Sequence, residues 1–371
     1  MDTWIENREP LYAVGTTTTP EREASSPADT GIPPSMQSQL WQQPRPVAER
    51  IRSMAPDRFG LYPHEVLLLT YAPLLLTRGR RFQLFWADRY GVADPLSALR
   101  SLAERGFLAP ENDADTVGRQ TIAGLKPVLA ARGLKVSGSK AALVDRVLDS
   151  LTPMEIDDLY PERYYASTAI AIDAVAASPQ IPHIHRHPNI EGLDIFSLTE
   201  LVRLNPGPYR DTVWRCLNWL SLIHAVNGKW GFYGSARYAM ATFLAEEDRW
   251  RDAIAMLAEV AFYDLNCTEN TVDGRPVELD LDYVFPYETS IATVAPGIAP
   301  QFMAWGDDAG LSEKEVRDLM LTRMAQQRPP VQVFTVEECV DIVFLTASMD
   351  TAALDAIYTQ AGQRLRGQDR G

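Results

Sequence analysis

Three of the chain's five lysines, Lys126, Lys135 and Lys140, fall within one short stretch, with Arg132 and Arg146 beside them. Cations gathered this way suit phosphate oxygens, lysine as a point charge and arginine as a planar fork. Gly138 and Ser139 stand immediately before Lys140. A glycine there lets a ligand approach the backbone. A serine there caps a helix whose first N–H groups and positive dipole end face an anion. The predicted nucleic-acid contacts are therefore Lys126, Arg132, Lys135, Gly138, Ser139, Lys140 and Arg146. Contacts of this kind hold a backbone without reading its sequence.

Two other groups of residues could do chemistry. Residues 181–187 read IPHIHRH, so an extended backbone would place His183, His185 and His187 on one face. Alternating imidazoles suit zinc, and Glu278, Asp280 and Asp282 alternate in the same way further on. The plainer reading is an edge strand or loop with partly exposed imidazoles, because no complete ligand spacing is present, and no metal or other cofactor is expected. Cys216 and His224 lie eight residues apart in a segment rich in tryptophan and leucine. A cysteine nucleophile would need a cleft and a third, orienting group, whereas a core helix explains both residues. His64 and Glu65 read as the start of a helix rather than as a catalytic pair. There is no P-loop, dinucleotide glycine fingerprint or G-x-S-x-G sequence. No catalytic residue is expected, and the chain reads as non-enzymatic.

The elements that must position the lysines are short helices. Thr121 caps a first helix with Ile122, Leu125, Val128 and Leu129 on its apolar face, and Gly133 stops it. Lys135 to Gly138 is a linker, and Ser139 caps a second helix that turns Leu143, Val144, Val147 and Leu148 inward. Pro127 lies past the first turn, so the first helix either starts near Gly124 or is kinked. This order of elements resembles the SAP domain, a helix–linker–helix module that binds DNA and in some cases RNA. The resemblance rests on Leu125-Lys126, Gly133-Leu134, Gly138-Ser139-Lys140, Leu143 and Arg146, over residues 117–150. It implies a duplex DNA or RNA partner, held weakly and with steep salt dependence because few phosphates are touched.

Charge is distributed to match. The whole chain is acidic, at a net −14 and a pI near 4.9, which excludes a protein coated in basic surface. Residues 117–150 nevertheless carry six basic and two acidic side chains, and the chain beyond residue 150 is strongly acidic. Three scattered cysteines without a CxxC pair suit a reducing cytoplasm. The first residues hold acids and no apolar core, and no run approaches the roughly 20 apolar residues of a membrane span. A cytoplasmic protein with no membrane partner is expected. Seven of the 26 prolines lie in residues 1–46, which predicts a disordered tail carrying one small apolar cluster, Trp4, Ile5, Leu11 and Tyr12.

The remainder predicts a mainly α protein. Residues 47–110 form a helical module. Its marks are an apolar helix from His64 to Leu76, a helical face of Phe82, Phe85, Trp86 and Tyr90, and a helix capped by Asp94-Pro95 and stopped at Gly106. The string LSALRSLAERGFL resembles the last helix of a winged-helix domain. Residues 151–371 form an acidic, mainly helical domain with capping boxes at Thr152–Glu155, Ser197–Glu200, Ser312–Glu315 and Thr335–Glu338. Asp350 caps a last helix running to about Arg366. Extended segments are expected at 181–187, 230–233 and 277–285. Residues 233–246 and 250–265 resemble a tetratricopeptide-like helix pair, preceded by NGKWGFYGSA as a turn.

A wider resemblance covers most of residues 60–345. It rests on GLYPHEVLLLTYA, FQLFWADRYGV, RYYASTAIAIDAV, IPHIHRH, RWRDAIAMLAEVAFYDLN and VFTVEECVDIVF. These blocks are similar to those of uncharacterised bacterial and prophage SAP-containing proteins, which implies a phage or mobile-element setting and no established activity. The segment RYYASTAIAIDAV lacks the L-T-x-x-G pattern of a winged-helix wing. The function expected is a DNA-tethering adaptor whose acidic C-terminal domain engages a protein partner of unknown identity. Two rivals remain: an interaction scaffold in which the hairpin is structural, and a metal-dependent enzyme using His183, His185 and His187.

Overall fold

The computed structural model describes residues 46–78, 82–188, 190–266, 271–272, 275–276 and 280–368. The tail predicted over residues 1–46 lies outside them, apart from Pro46. The chain divides into two compact units. One runs to Pro188 and includes Gly192–Tyr209, and the other comprises Glu191 with its neighbours and Arg210 onward. Both are mainly helical. No helix among the described residues is long and apolar enough to cross a membrane.

The first unit opens with α1 (Val47–Ser53) and α2 (Pro63–Tyr71). Pro63 presets the first turn of α2, and Glu65 Oε2 accepts from the Tyr62 N–H at 2.8 Å. Val66, Leu67, Leu68 and Leu69 are all buried, so α2 is apolar on every side and central. The aromatic helix expected after it shrinks to one turn, α3 (Phe85–Asp88), because the chain leaves helical geometry where Val92 N–H bonds to the Trp86 carbonyl. Phe82 lies outside that turn, while Trp86 and Tyr90 are buried as expected. In α4 (Pro95–Glu104) Asp94 accepts from Ser97 N–H at 3.1 Å, and Gly106 ends the helix with a φ of +84°, as the sequence predicts.

Strand β1 (Leu108–Pro110) follows, and the chain then departs through α5 (Asp113–Arg119), α6 (Ile122–Ala131), α7 (Lys140–Ser150) and α8 (Pro153–Leu159). It returns as β2 (Tyr165–Ser167), antiparallel to β1, with Leu108 opposite Ser167 and Pro110 opposite Tyr165. Leu76 bridges to Tyr164, so a third short segment extends the ladder. The four helices therefore occupy the place of the turn in a β-hairpin. The unit closes with α9 (Ala169–Ala176), α10 (Gln180–Arg186) and α11 (Ile195–Leu204) against α2.

Two expectations in this region are corrected. Residues 181–187 are not extended. They form most of α10, where Pro182 falls in the first turn and needs no hydrogen-bond donor, while Ile181 and Ile184 supply the buried side. A seven-residue segment with histidine at every second position also satisfies i, i+4 spacing, and burial of the isoleucines decides for the helix. The box read at Ser197–Glu200 belongs one turn earlier: Asp194 caps α11 and Ser197 returns the bond to the Asp194 N–H at 2.9 Å.

The second unit contains α12 (Tyr209–Val226) from Arg210 onward, α13 (Trp230–Ala245), α14 (Trp250–Leu265), the short pair β3 (Thr271–Val272) and β4 (Arg275–Pro276), and α15 (Leu281–Val284). It ends with α16 (Ile298–Asp308), α17 (Glu313–Met324), α18 (Val336–Ser348) and α19 (Thr351–Gln368). The boxes at Ser312–Glu315 and Thr335–Glu338 and the cap at Asp350 are present. Residues 230–233, expected to be extended, open α13, so only Asn227–Lys229 forms the turn and Gly231 and Gly234 are helical. The hairpin of α13 and α14 is present as a helix pair, and its likeness to tetratricopeptide units remains one of sequence. In the segment expected to be extended at 277–285, Asp280 caps α15 and Asp282 pairs with Arg366 at 3.0 Å. Glu278 lies outside the described residues.

Helix α14 is the axis of this unit, buried at ten of its sixteen positions including Glu259. Arg237 reaches Glu259 through Nε and Nη2 at 3.0 and 2.9 Å, Arg323 through Nε and Nη2 at 3.1 and 2.5 Å, and the Tyr233 hydroxyl donates as well. Burial acts to raise the Glu259 carboxyl, and the guanidinium groups together with the tyrosine hold it below the usual range. Asn266, fully buried, accepts from Val333 and Phe334 N–H at 2.7 and 3.1 Å. It thereby satisfies the chain just before the Thr335 cap.

Candidate nucleic-acid interface

Helices α5 to α8 carry their own small core. Val117, Leu125, Leu129, Leu143, Val147, Leu151 and Ile156 are buried together, with Val128, Leu134, Val144, Leu148 and Tyr160 packed around them. Thr121 caps α6 as predicted, accepting from Gly124 N–H at 3.1 Å. The helix runs on through Pro127, which is exposed, so the Ala123 carbonyl it leaves without a donor can be served by water. Ile122, expected inside, is 42% exposed because it sits at the first helical position, outward of the Leu125–Leu129 stripe. Gly133 ends α6 at a φ of +66°, with Leu134 N–H bonded to the Leu129 carbonyl and Gly133 N–H to that of Ala130. This double bond pattern is a Schellman motif, and it satisfies two carbonyls of the last turn.

The arginines of this segment are committed to internal contacts. Arg163, before β2, donates to Thr116 Oγ1 at 2.5 Å and to Asp113 at 2.8 Å, and it also pairs with Asp157. Its side chain is only 12% exposed. Arg119 bonds the buried Glu111 at 2.6 Å and lies over the Tyr164 ring. Arg132, predicted as a contact, pairs with Glu155 at 3.1 Å. The bond from Thr152 N–H, the Thr152 hydroxyl and Arg132 hold the Glu155 carboxyl below the usual range. Arg146, also predicted as a contact, donates to the Lys135 carbonyl and so fixes the linker. Sequence reading missed Glu111, Arg119 and Arg163 as the base of the module. Arg163 lies 47 and 50 residues from Thr116 and Asp113, and no local pattern signals such a pairing.

The lysines are different. Lys126, Lys135 and Lys140 are exposed, and among the described residues no ion pair or hydrogen bond engages their side chains. Lys140 is the first residue of α7, after Ser139, whose hydroxyl accepts from Ala142 N–H at 3.3 Å. That cap leaves the N–H groups of the first two helical positions pointing outward at the positive end of the dipole. Gly138 has a φ of +136°, a conformation that side-chain-bearing residues rarely adopt. Gly138, Ser139 and Lys140 are all exposed, so an anion has open access to this turn.

The histidine triplet does not act as one group. On α10, His183 and His187 meet with ring centroids 4.6 Å apart. His185 turns to another face, between Tyr71, Phe85 and Tyr90, and the Tyr90 hydroxyl reaches its Nδ1 at 2.6 Å. Burial, with Arg89 and Arg186 adding to it, lowers His185 to about 4, and burial raises Tyr90 to about 12. At neutral pH the phenol therefore donates to a neutral imidazole. Because the folded value lies below the ordinary 6.5, the unfolded chain takes up the proton first as pH falls. Stability supplied by this residue is complete above pH 6.5 and is lost progressively down to about pH 4. The full shift would be worth about 3 kcal/mol, and partial exposure reduces it to roughly half. Thermal melts from pH 7 to 4 should show a shallower fall for His185→Gln than for the parent, and parallel curves would refute the assignment.

Cys216 and His224 are both buried in α12. Burial raises the Cys216 thiol to about 12, which removes the thiolate a nucleophile requires. His224 instead bonds Glu191 through Nε2 at 2.7 Å and stacks on Phe232. His64 lies beside Glu65, whose carboxylate serves the Tyr62 N–H and Arg105.

The SAP domain family model matches residues 116–152, the segment built from the end of α5 to the cap of α8. No curated protein and no solved structure matches the chain.

Proposed function

We propose that this protein is a non-enzymatic tether. Its SAP domain holds duplex DNA by the phosphate backbone, and its acidic second unit engages a protein partner. SAP domains generally bind DNA or chromatin. The observation that carries the reading is the division of labour among the cations. In a chain with six arginines for every lysine, Arg119, Arg132 and Arg146 bond to other groups of the same unit, while Lys126, Lys135 and Lys140 stand exposed, Lys140 at the open N-terminus of α7. Lysine offers a point charge rather than a bidentate fork, so the contact is blind to sequence. The phage or mobile-element setting rests on the resemblance of the sequence blocks alone.

Three phosphate contacts set the salt dependence. Each releases about 0.9 counterion, so the slope of log affinity against log salt should be close to −2.7. Anisotropy with a labelled duplex should show full-chain affinity falling about 40-fold between 50 and 200 mM salt. No duplex binding at 50 mM salt would leave the scaffold reading in its place. Tighter binding to an RNA duplex of the same sequence would transfer the proposal to RNA.

A further inference from the structure

We propose that His183 and His187 form a two-imidazole clamp for a borderline divalent cation, with zinc as its natural occupant, and that His185 takes no part in it. This goes beyond DNA tethering and does not depend on it.

The two histidines lie four residues apart on one edge of α10, and their rings are in contact, 4.6 Å between centroids. Their ligand nitrogens lie within 4.8 Å of one another. Tetrahedral zinc with bonds of about 2.0–2.1 Å separates two ligand nitrogens by roughly 3.4 Å, so small rotations about χ1 and χ2 bring both rings to one ion. Paired histidines at i, i+4 on a helix are a recurrent way to present two zinc ligands. Imidazole, joined by no cysteine among the described residues, favours zinc, nickel or copper over magnesium or calcium. His183 is 2% exposed and lies against the Tyr209 ring at 5.3 Å, which confines it to small rotations. His187 caps the helix and is half-buried, which gives an ion a route to the pair. A four-coordinate ion there would take its other two ligands from water or carboxylate oxygen.

His185 fails on geometry. The i, i+2 offset turns it away from the pair, and the Tyr90 hydroxyl occupies its Nδ1. The sequence motif of three alternating histidines therefore resolves into one two-residue site and one aromatic pocket.

The test uses the full chain without a histidine tag, dialysed against buffered zinc. About one zinc per chain is expected, with His187→Ala and His183→Ala each weakening binding at least tenfold and His185→Gln leaving it within twofold. Circular dichroism checks that each variant folds, and His187→Ala, at the half-exposed position, keeps the test decisive if His183→Ala does not. As a second readout, added zinc should raise the melting temperature of the parent and of His185→Gln but not of His187→Ala. Substoichiometric zinc in the parent, or equal losses in His185→Gln and His187→Ala, would overturn the assignment.

Discussion

Replacing Lys126, Lys135 and Lys140 together by glutamate should remove measurable duplex binding from the full chain at 0.1 M salt. Three phosphate contacts with a combined slope near −2.7 account for about a 500-fold difference in affinity between 0.1 M and 1 M salt. Losing them costs at least that factor, and the added negative charge repels the duplex further. All three side chains are exposed and lack ion pairs among the described residues, so the melting temperature should scarcely move. The paired arginines provide the contrast. Arg132→Ala and Arg146→Ala remove a contact to Glu155 and to the Lys135 carbonyl. They should lower stability of the module modestly while leaving the salt slope unchanged. If Arg132→Ala and Arg146→Ala flattened the slope as much as the lysine changes do, the division between contact lysines and structural arginines would be wrong.

The second large effect belongs to the other unit. Glu259→Gln should cost its unfolding transition about 3–5 kcal/mol, the usual consequence of removing one member of a buried ion pair. A neutral amide cannot compensate Arg237 and Arg323 together, and the Arg237 side chain is only 12% exposed. Arg323, at 30% exposure, can turn partly to water, so Arg323→Met should cost less. Combining Glu259→Leu, Arg237→Met and Arg323→Met should recover much of the loss, since apolar groups of similar volume often replace a buried ionic cluster at little cost. Denaturant titration followed by circular dichroism reads all of these. A loss below 1 kcal/mol for Glu259→Gln would mean that the cluster contributes little.

These two predictions differ in how far the sequence foreshadows them. The SAP segment was legible because its signals are local: Thr121 and Ser139 as caps, Gly133 as a stop, and apolar residues at helical spacing all lie within 30 residues. The helical class of the chain was legible for the same reason. The Glu259 cluster was not, because it joins residues 22 and 64 positions apart, and the base of the SAP module was not, because Arg163 returns to Asp113 and Thr116. The errors fall where a short run satisfies two periods at once. Residues 181–187 fit alternation and helix equally, and burial of Ile181 and Ile184 settled the choice. Residues 230–233 are glycine-bearing and aromatic, which suggests a turn or strand, but they open a helix packed on α14. The seven predicted contact residues lie in one module, and the bonds of Arg132 to Glu155 and of Arg146 to the Lys135 carbonyl are tertiary details that no local pattern in the sequence announces.

The position of the module between β1 and β2 also bears on the order in which the chain folds. Pairing Pro110 with Tyr165 requires closing a loop of roughly 50 residues, an entropic cost of about 3.5 kcal/mol that three residue pairs of strand cannot offset alone. The helices between them have a core of their own, and the Glu111 N–H bond to the Tyr164 carbonyl shows that their two ends emerge side by side. Once this segment has collapsed, the strands meet as if across a tight turn. Helix formation inside the insert should therefore precede pairing of the ladder, and a core change such as Leu129→Ala, which lies outside both strands, should slow that pairing.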